Sequence, residues 1–136
     1  MTADEQAELV SQSRRLLSAV AGLRLALLYG SFANGKMRPG SDVDIAVLFD
    51  RSLDARQRMK LTEHLEDSLA RTVDLADLFS LHGTILQQIL CKGQVLVNND
   101  PMALAVLIRQ MIYNQADVMP IVNRVLQERQ ERFAYG

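Results

Sequence analysis

Two carboxylates separated by one residue, Asp42 and Asp44, are the side chains of this sequence best suited to chemistry. Apolar runs at 25–29 and 45–49 flank the stretch that contains them, which predicts a strand, a turn and a second strand. Side chains alternate along a strand, so both carboxylates should point the same way, about 7 Å apart. Such a pair repels itself unless a cation lies between, and oxygen ligands favour Mg²⁺, which takes substrate phosphates as further ligands.

The glycine-rich turn between these strands is a candidate phosphate site. Gly30 lets the backbone approach a ligand closely, and Ser31 adds a hydroxyl group. If a short helix begins at Ser31, its free N–H groups face an anion. We expect Ser31 to contact phosphate rather than to act as a nucleophile, because no histidine base is placed beside it. Lys36 and Arg38 are candidates for triphosphate contacts, and a solvated loop charge is an equal alternative for both.

Together these residues carry a family resemblance. Gly30-Ser31, ten intervening residues and Asp42-x-Asp44 before an apolar strand resemble the signature of the DNA polymerase β-like nucleotidyltransferases. That family takes a third carboxylate from a neighbouring strand, and Asp74 fits this role, thirty positions after Asp44.

Two details of the resemblance stay open at this stage. Asp77 is the alternative third ligand, but Asp74 is favoured by its place in Val-Asp-Leu. Asn34 stands where many members carry arginine, which leaves charge near the phosphates to Lys36 or Arg38.

The short chain is similar to the minimal nucleotidyltransferases, many of which are antitoxins paired with HEPN-domain ribonuclease toxins. This resemblance implies ATP as substrate and AMP as the transferred group. It implies one Mg²⁺ ion on Asp42 and Asp44, bridging the phosphates, and a second ion shared with Asp74 that activates the acceptor hydroxyl. The acceptor would be a tyrosine of the toxin, and no direct contact with nucleic acid is expected.

The length of the chain after Asp74 indicates where the acceptor hydroxyl comes from. Only 62 residues follow Asp74, and they are predicted to form a helical layer, so a partner is expected to supply the acceptor. The first hypothesis is therefore an enzyme, a protein adenylyltransferase antitoxin. The alternatives are a catalytically silent antitoxin that acts by binding, and a small-molecule nucleotidyltransferase that completes its site by self-association.

Composition limits the other possibilities. The 136 residues are expected to form a single domain, 1–136, and 49% of them are hydrophobic, enough for a core. A net charge of −1 argues against a nonspecific nucleic-acid binder. One cysteine, an acidic and polar N-terminus and no apolar run of membrane-spanning length indicate a cytoplasmic protein.

The predicted fold is α/β (α+β in finer schemes), a small mixed sheet of about four strands with helices mainly on one face. Thr2 and Glu5 match a capping box at the start of the first helix. The strand predicted over 72–79 is apolar on both faces and is therefore expected in the centre of the sheet. In the C-terminal helices, an apolar set off the core stripe is predicted to contact a toxin or a second copy, unless the rest of the domain covers it: Met102, Val106 and Tyr113.

Overall fold

The structure, a computed structural model, describes residues 2–32, 38 and 40–112. In chain order its elements are α1 (Ala3–Ser18), β1 (Leu25–Tyr29), β2 (Val43–Leu48), α2 (Ala55–Leu69), β3 (Val73–Asp77), α3 (Gly83–Lys92) and β4 (Gln94–Asn98). A further helix, α4, begins at residue 101 and is described to residue 112. No helix in the described ranges is long and apolar enough to cross a membrane.

Local sequence signals explain where the helices begin. The Thr2 hydroxyl accepts the Glu5 N–H and the Glu5 carboxylate accepts the Thr2 N–H, which confirms the predicted capping box at α1. Asp54 and Gln57 form the same reciprocal pair at the start of α2. At α4, Asp100 accepts the N–H of Met102 one residue into the helix, as expected for a capping aspartate before proline.

The four strands form one mixed sheet in the order β3-β2-β1-β4. β1 runs antiparallel to β2 and β4, and β2 and β3 are parallel, joined by α2. The mixed sheet of four strands agrees with the predicted fold class. The position of β3 does not, because this strand lies at an edge and not in the centre.

The expectation that helices lie mainly on one face also needs correction. Alternate residues of β1 belong to two hydrophobic cores on opposite faces of the sheet. Ala26 and Leu28 pack with α1 and α2, whereas Leu25 and Leu27 pack with α3 and α4. Because both faces of the strands are apolar, each must be covered, and helices cover both.

Candidate active site

Three side chains lie in one row across three neighbouring strands. Asp44 on β2 is in register with Asp74 on β3 and with Tyr29 on β1. Register partners on adjacent strands project from the same face of a sheet, so the two carboxylates and the phenol share one surface. This is the α3 side of the sheet, because the partners two residues further along pack in that core: Leu27, Ala46 and Ala76.

The absence of a side chain at Gly30 leaves room for the Asp44 carboxylate. The φ angle of Gly30 is 72°, in the left-handed region that favours glycine. A Cβ atom added there would lie 2.1 Å from Oδ2 of Asp44 and 2.8 Å from its Cγ. The space above the Gly30 Cα is thus taken by the carboxylate itself, a different use of glycine from the ligand approach expected from the sequence.

Burial and one hydrogen bond have opposite effects on the pKa of Asp44. Burial raises the pKa of Asp44, and the neighbouring charges of Asp74 and Asp42 raise this pKa further. The backbone N–H of Ser31 donates to the carboxylate and lowers the pKa, opposing these effects. A cation at this point would relieve the repulsion among the three carboxylates.

Tyr29 is a site residue that the sequence analysis missed. Burial raises the pKa of Tyr29 to about 12, and the charges of Asp74 and Asp44 contribute. At neutral pH the hydroxyl therefore keeps its proton and can only be a neutral donor or acceptor beside the carboxylates. Its place directly before the Gly-Ser pair was the available signal, but only the strand register brings it into line with Asp74.

The carboxylates fit a hard divalent cation by the chemistry of their donor set, which is oxygen only. Asp42 and Asp74 are exposed and Asp44 is half-buried. Within the described ranges, no three His, Cys, Asp or Glu side chains form a ready-made metal cage. An ion here would therefore need water or substrate phosphate as further ligands, which is how Mg²⁺ is usually bound.

Arg38 and Ser41, two described residues before Asp42, make polar contacts with each other, and Ser41 also contacts Arg71. The Arg38 N–H donates to the Ser41 hydroxyl at 2.9 Å, and the Ser41 N–H donates to the Arg38 carbonyl at 3.0 Å. The Arg71 guanidinium donates to the Ser41 carbonyl at 3.1 Å. Arg71 could not be identified from the sequence because its partner lies thirty residues away.

The other predicted phosphate contacts are only partly described. Arg38 is exposed near the acidic pair. Lys36, Asn34 and the short helix expected after Ser31 lie outside the described residues.

Asp77, the alternative third carboxylate, is used differently. It is buried, and its two oxygens accept the Leu53 N–H at 2.8 Å and the Phe79 N–H at 3.0 Å. The geometry therefore brings Asp74, and not Asp77, to the side of Asp44.

Comparison with known proteins identifies the family of this chain. The family described as "Polymerase beta, Nucleotidyltransferase" matches residues 12–102, a range that contains all three carboxylates. The chain belongs to this family. The matched range includes the Gly30-Ser31 turn and the Asp42-x-Asp44 pair.

The chain is also similar in sequence to an individual member of known activity. This nucleotidyltransferase is 39% identical over 74 residues to the protein adenylyltransferase MntA of Shewanella oneidensis, covering 54% of this chain and 53% of that protein. The sequence match thus spans about half the length of that relative.

Two solved structures are similar over nearly their whole length. One is a toxin–antitoxin structure with AMP-PNP, with a TM-score of 0.64, 28% identity, and coverage of 92% of this chain and 99% of that one. The other is a chain from a complex of a tri-AMPylated Shewanella oneidensis HEPN toxin with an MNT antitoxin, with a TM-score of 0.63, 30% identity, and coverage of 89% and 98%.

Proposed function

We propose that this polymerase β nucleotidyltransferase is an antitoxin that transfers AMP from ATP to a hydroxyl group of a cognate HEPN ribonuclease toxin, with tyrosine as the expected acceptor. The observation that carries the proposal is the position of Asp44, seated on Gly30 and in register with Asp74. The likeness to a protein adenylyltransferase and to chains of toxin–antitoxin structures supports the identity of donor and acceptor.

Each part of the site then has a role. Asp42 and Asp44 would hold the metal ion that binds the phosphates of ATP, beside the Gly30-Ser31 turn. Asp74 lies on the far side of Asp44 from Tyr29, on an edge strand, where an incoming acceptor hydroxyl can reach it. Bound Mg²⁺ would neutralise charge on the phosphates and lower the pKa of the acceptor hydroxyl. Two ions are proposed, one on the acidic pair and one shared with Asp74.

The position of Asp74 also supports an acceptor from outside the chain. Asp74 is exposed although both its strand neighbours are buried. A site open at the acceptor carboxylate suits a macromolecular substrate that brings its own surface. The cytoplasm is the proposed compartment, where ATP is available and a lone cysteine stays reduced.

The test is an AMP-transfer assay. The purified chain is incubated with the cognate toxin, Mg²⁺ and ATP, and the intact mass of the toxin is measured. We expect the toxin to gain the mass of one or more AMP groups and to lose ribonuclease activity. The Asp42→Asn and Asp44→Asn variants should leave the toxin unmodified, whereas Asp4→Asn, which changes an exposed carboxylate on α1, should behave as the wild type.

Other outcomes separate the alternatives. A toxin that is bound and silenced without gain of mass would indicate an antitoxin that acts by contact alone. Transfer to small hydroxylated compounds, with the toxin unmodified, would indicate a small-molecule nucleotidyltransferase. Comparing ATP with GTP, CTP and UTP as donors tests the choice of AMP.

A further inference from the structure

The outer edge of β3 is closed by two side chains of α2. On the inner side, the Thr72 carbonyl accepts the Val43 N–H and the Leu78 N–H donates to the Val47 carbonyl, both at 2.8 Å. The backbone of even-numbered residues therefore faces β2. The alternation of a parallel ladder turns the backbone groups of odd-numbered residues outward, away from the sheet.

Two of these outward groups have side-chain partners. The Glu66 carboxylate accepts the Val73 N–H at 2.9 Å, and the Arg58 guanidinium donates to the Leu75 carbonyl. Arg58 and Glu66 are eight positions apart on α2, so they lie on one side of the helix two turns apart. Val73 and Leu75 are the residues on either side of Asp74.

We infer that Glu66 and Arg58 are positioning residues for Asp74. They hold the backbone on both sides of Asp74 at an edge where no further strand of the described ranges does so, and thereby fix its carboxylate beside Asp44. The inference rests on the proposed function, in which Asp74 acts on the acceptor hydroxyl. Neither residue touches substrate in this scheme, and both act through the backbone of β3.

Glu66 offers the cleaner test, because the charge of Arg58 also acts on Tyr29. Glu66→Ala removes the acceptor for the Val73 N–H. Glu66→Gln removes the charge but keeps an oxygen in the same place. Asp67→Ala removes a carboxylate from the next, exposed position of α2 and is the matched control.

We expect Glu66→Ala to lower kcat for AMP transfer about 10- to 100-fold, the effect of a misplacement near 1 Å, with little change in KM for ATP. Glu66→Gln should restore most of the lost rate, and Asp67→Ala should match the wild type. In an Asp74→Asn background, Glu66→Ala should cost nothing further, because the residue through which it acts is already lost.

Amide exchange tests the contact without activity. Val73 should exchange about tenfold faster in Glu66→Ala, the equivalent of one hydrogen bond, and should stay protected in Glu66→Gln. The inference is overturned if Glu66→Ala keeps wild-type kcat, if it raises KM for ATP instead, or if its effect persists in the Asp74→Asn background.

A wild-type chain that transfers no AMP would refute the proposed function but not this inference. In that case the amide resonance of Asp74 decides, since it should shift in Glu66→Ala and not in Glu66→Gln. An unshifted Asp74 resonance would show that the contact does not position this residue.

Discussion

Replacing Gly30 by alanine tests the central contact of the site. Restoring ordinary contact at 3.4 Å from the 2.1 Å that separates a Cβ at Gly30 from Oδ2 of Asp44 requires a displacement of about 1.3 Å. The carboxylate is the end of a short side chain and can rotate away. The fold should therefore survive while the carboxylate leaves its place.

Gly30→Ala is expected to lower both the stability of the protein and its rate of AMP transfer. Left-handed backbone at a non-glycine residue costs about 1–2 kcal/mol, and an off-rotamer Asp44 adds about 0.5–1.5 kcal/mol. A reacting group displaced by 1 Å costs about 100-fold in rate. We thus expect Gly30→Ala to lose moderate stability and nearly all AMP transfer.

Gly83→Ala is the matched control. Gly83 has a φ angle of 74°, and a Cβ added there has no neighbour within 4 Å. It should show the backbone cost alone, with transfer unchanged. Thermal unfolding and the toxin mass assay, run on both variants, separate the two effects. A Gly30→Ala protein with wild-type kcat would refute the argument that Gly30 is needed to seat Asp44.

Three further variants probe other parts of the structure. Asp44→Asn should raise the melting temperature of the metal-free protein at neutral pH, because folding raises the pKa of Asp44 and its ionised form therefore opposes folding. The gain in melting temperature should shrink as the pH falls through the pKa of Asp44 in the folded protein. A gain that does not depend on pH would contradict this explanation. Each oxygen of Asp77 accepts one backbone N–H, and Asp77→Asn replaces one of these oxygens by an NH₂ group that cannot accept, so we expect about 1–3 kcal/mol of destabilisation by denaturant titration. Its folded fraction should keep transferring AMP, whereas Asp74→Asn should lose transfer by orders of magnitude and remain folded; the reverse ranking would exchange the roles of the two residues. Val106 is 44% exposed, so Val106→Asp should change stability by less than about 0.5 kcal/mol, measured by circular dichroism, and unfolding would place Val106 in the core.

Much of the fold could be predicted because its signals are local. The capping box at Thr2, the proline after Asp100 and the two apolar runs around Gly30 each act within a few residues. Part of the candidate site could be proposed for the same reason, since Gly30, Ser31, Asp42 and Asp44 lie close together in the sequence, at the end of β1 and the start of β2. The apolar surface predicted at Met102 and Val106 is exposed as expected, and Tyr113 lies outside the described residues.

The relations between distant strands could not be predicted in this way. Nothing near Asp44 or Asp74 indicates that they are register partners, or that Tyr29 completes the row. Pairing depends on the whole sheet, and alternation along one strand reports only which faces are covered.

The prediction that β3 lies in the centre of the sheet was wrong because burial of a strand's faces does not determine which strands pair with it. Val73, Leu75 and Ala76 are buried from both faces, as in a central strand, because α2 lies on one side and α3 on the other. Burial of faces does not require a second neighbouring strand. An edge strand still needs partners for its outward backbone groups, and here Glu66 and Arg58 supply them.

The edge position of β3 is therefore compatible with its apolar sequence and useful for the proposed reaction. A central strand would have neighbours on both sides of Asp74. At the edge, Asp74 keeps Asp44 as a neighbour on one side and stays exposed toward an incoming acceptor. The polar contacts from α2 occupy two outward backbone groups of that edge, which disfavours pairing with a further strand, and they hold the Asp74 carboxylate in register. The same two side chains therefore serve both the fold and the proposed site.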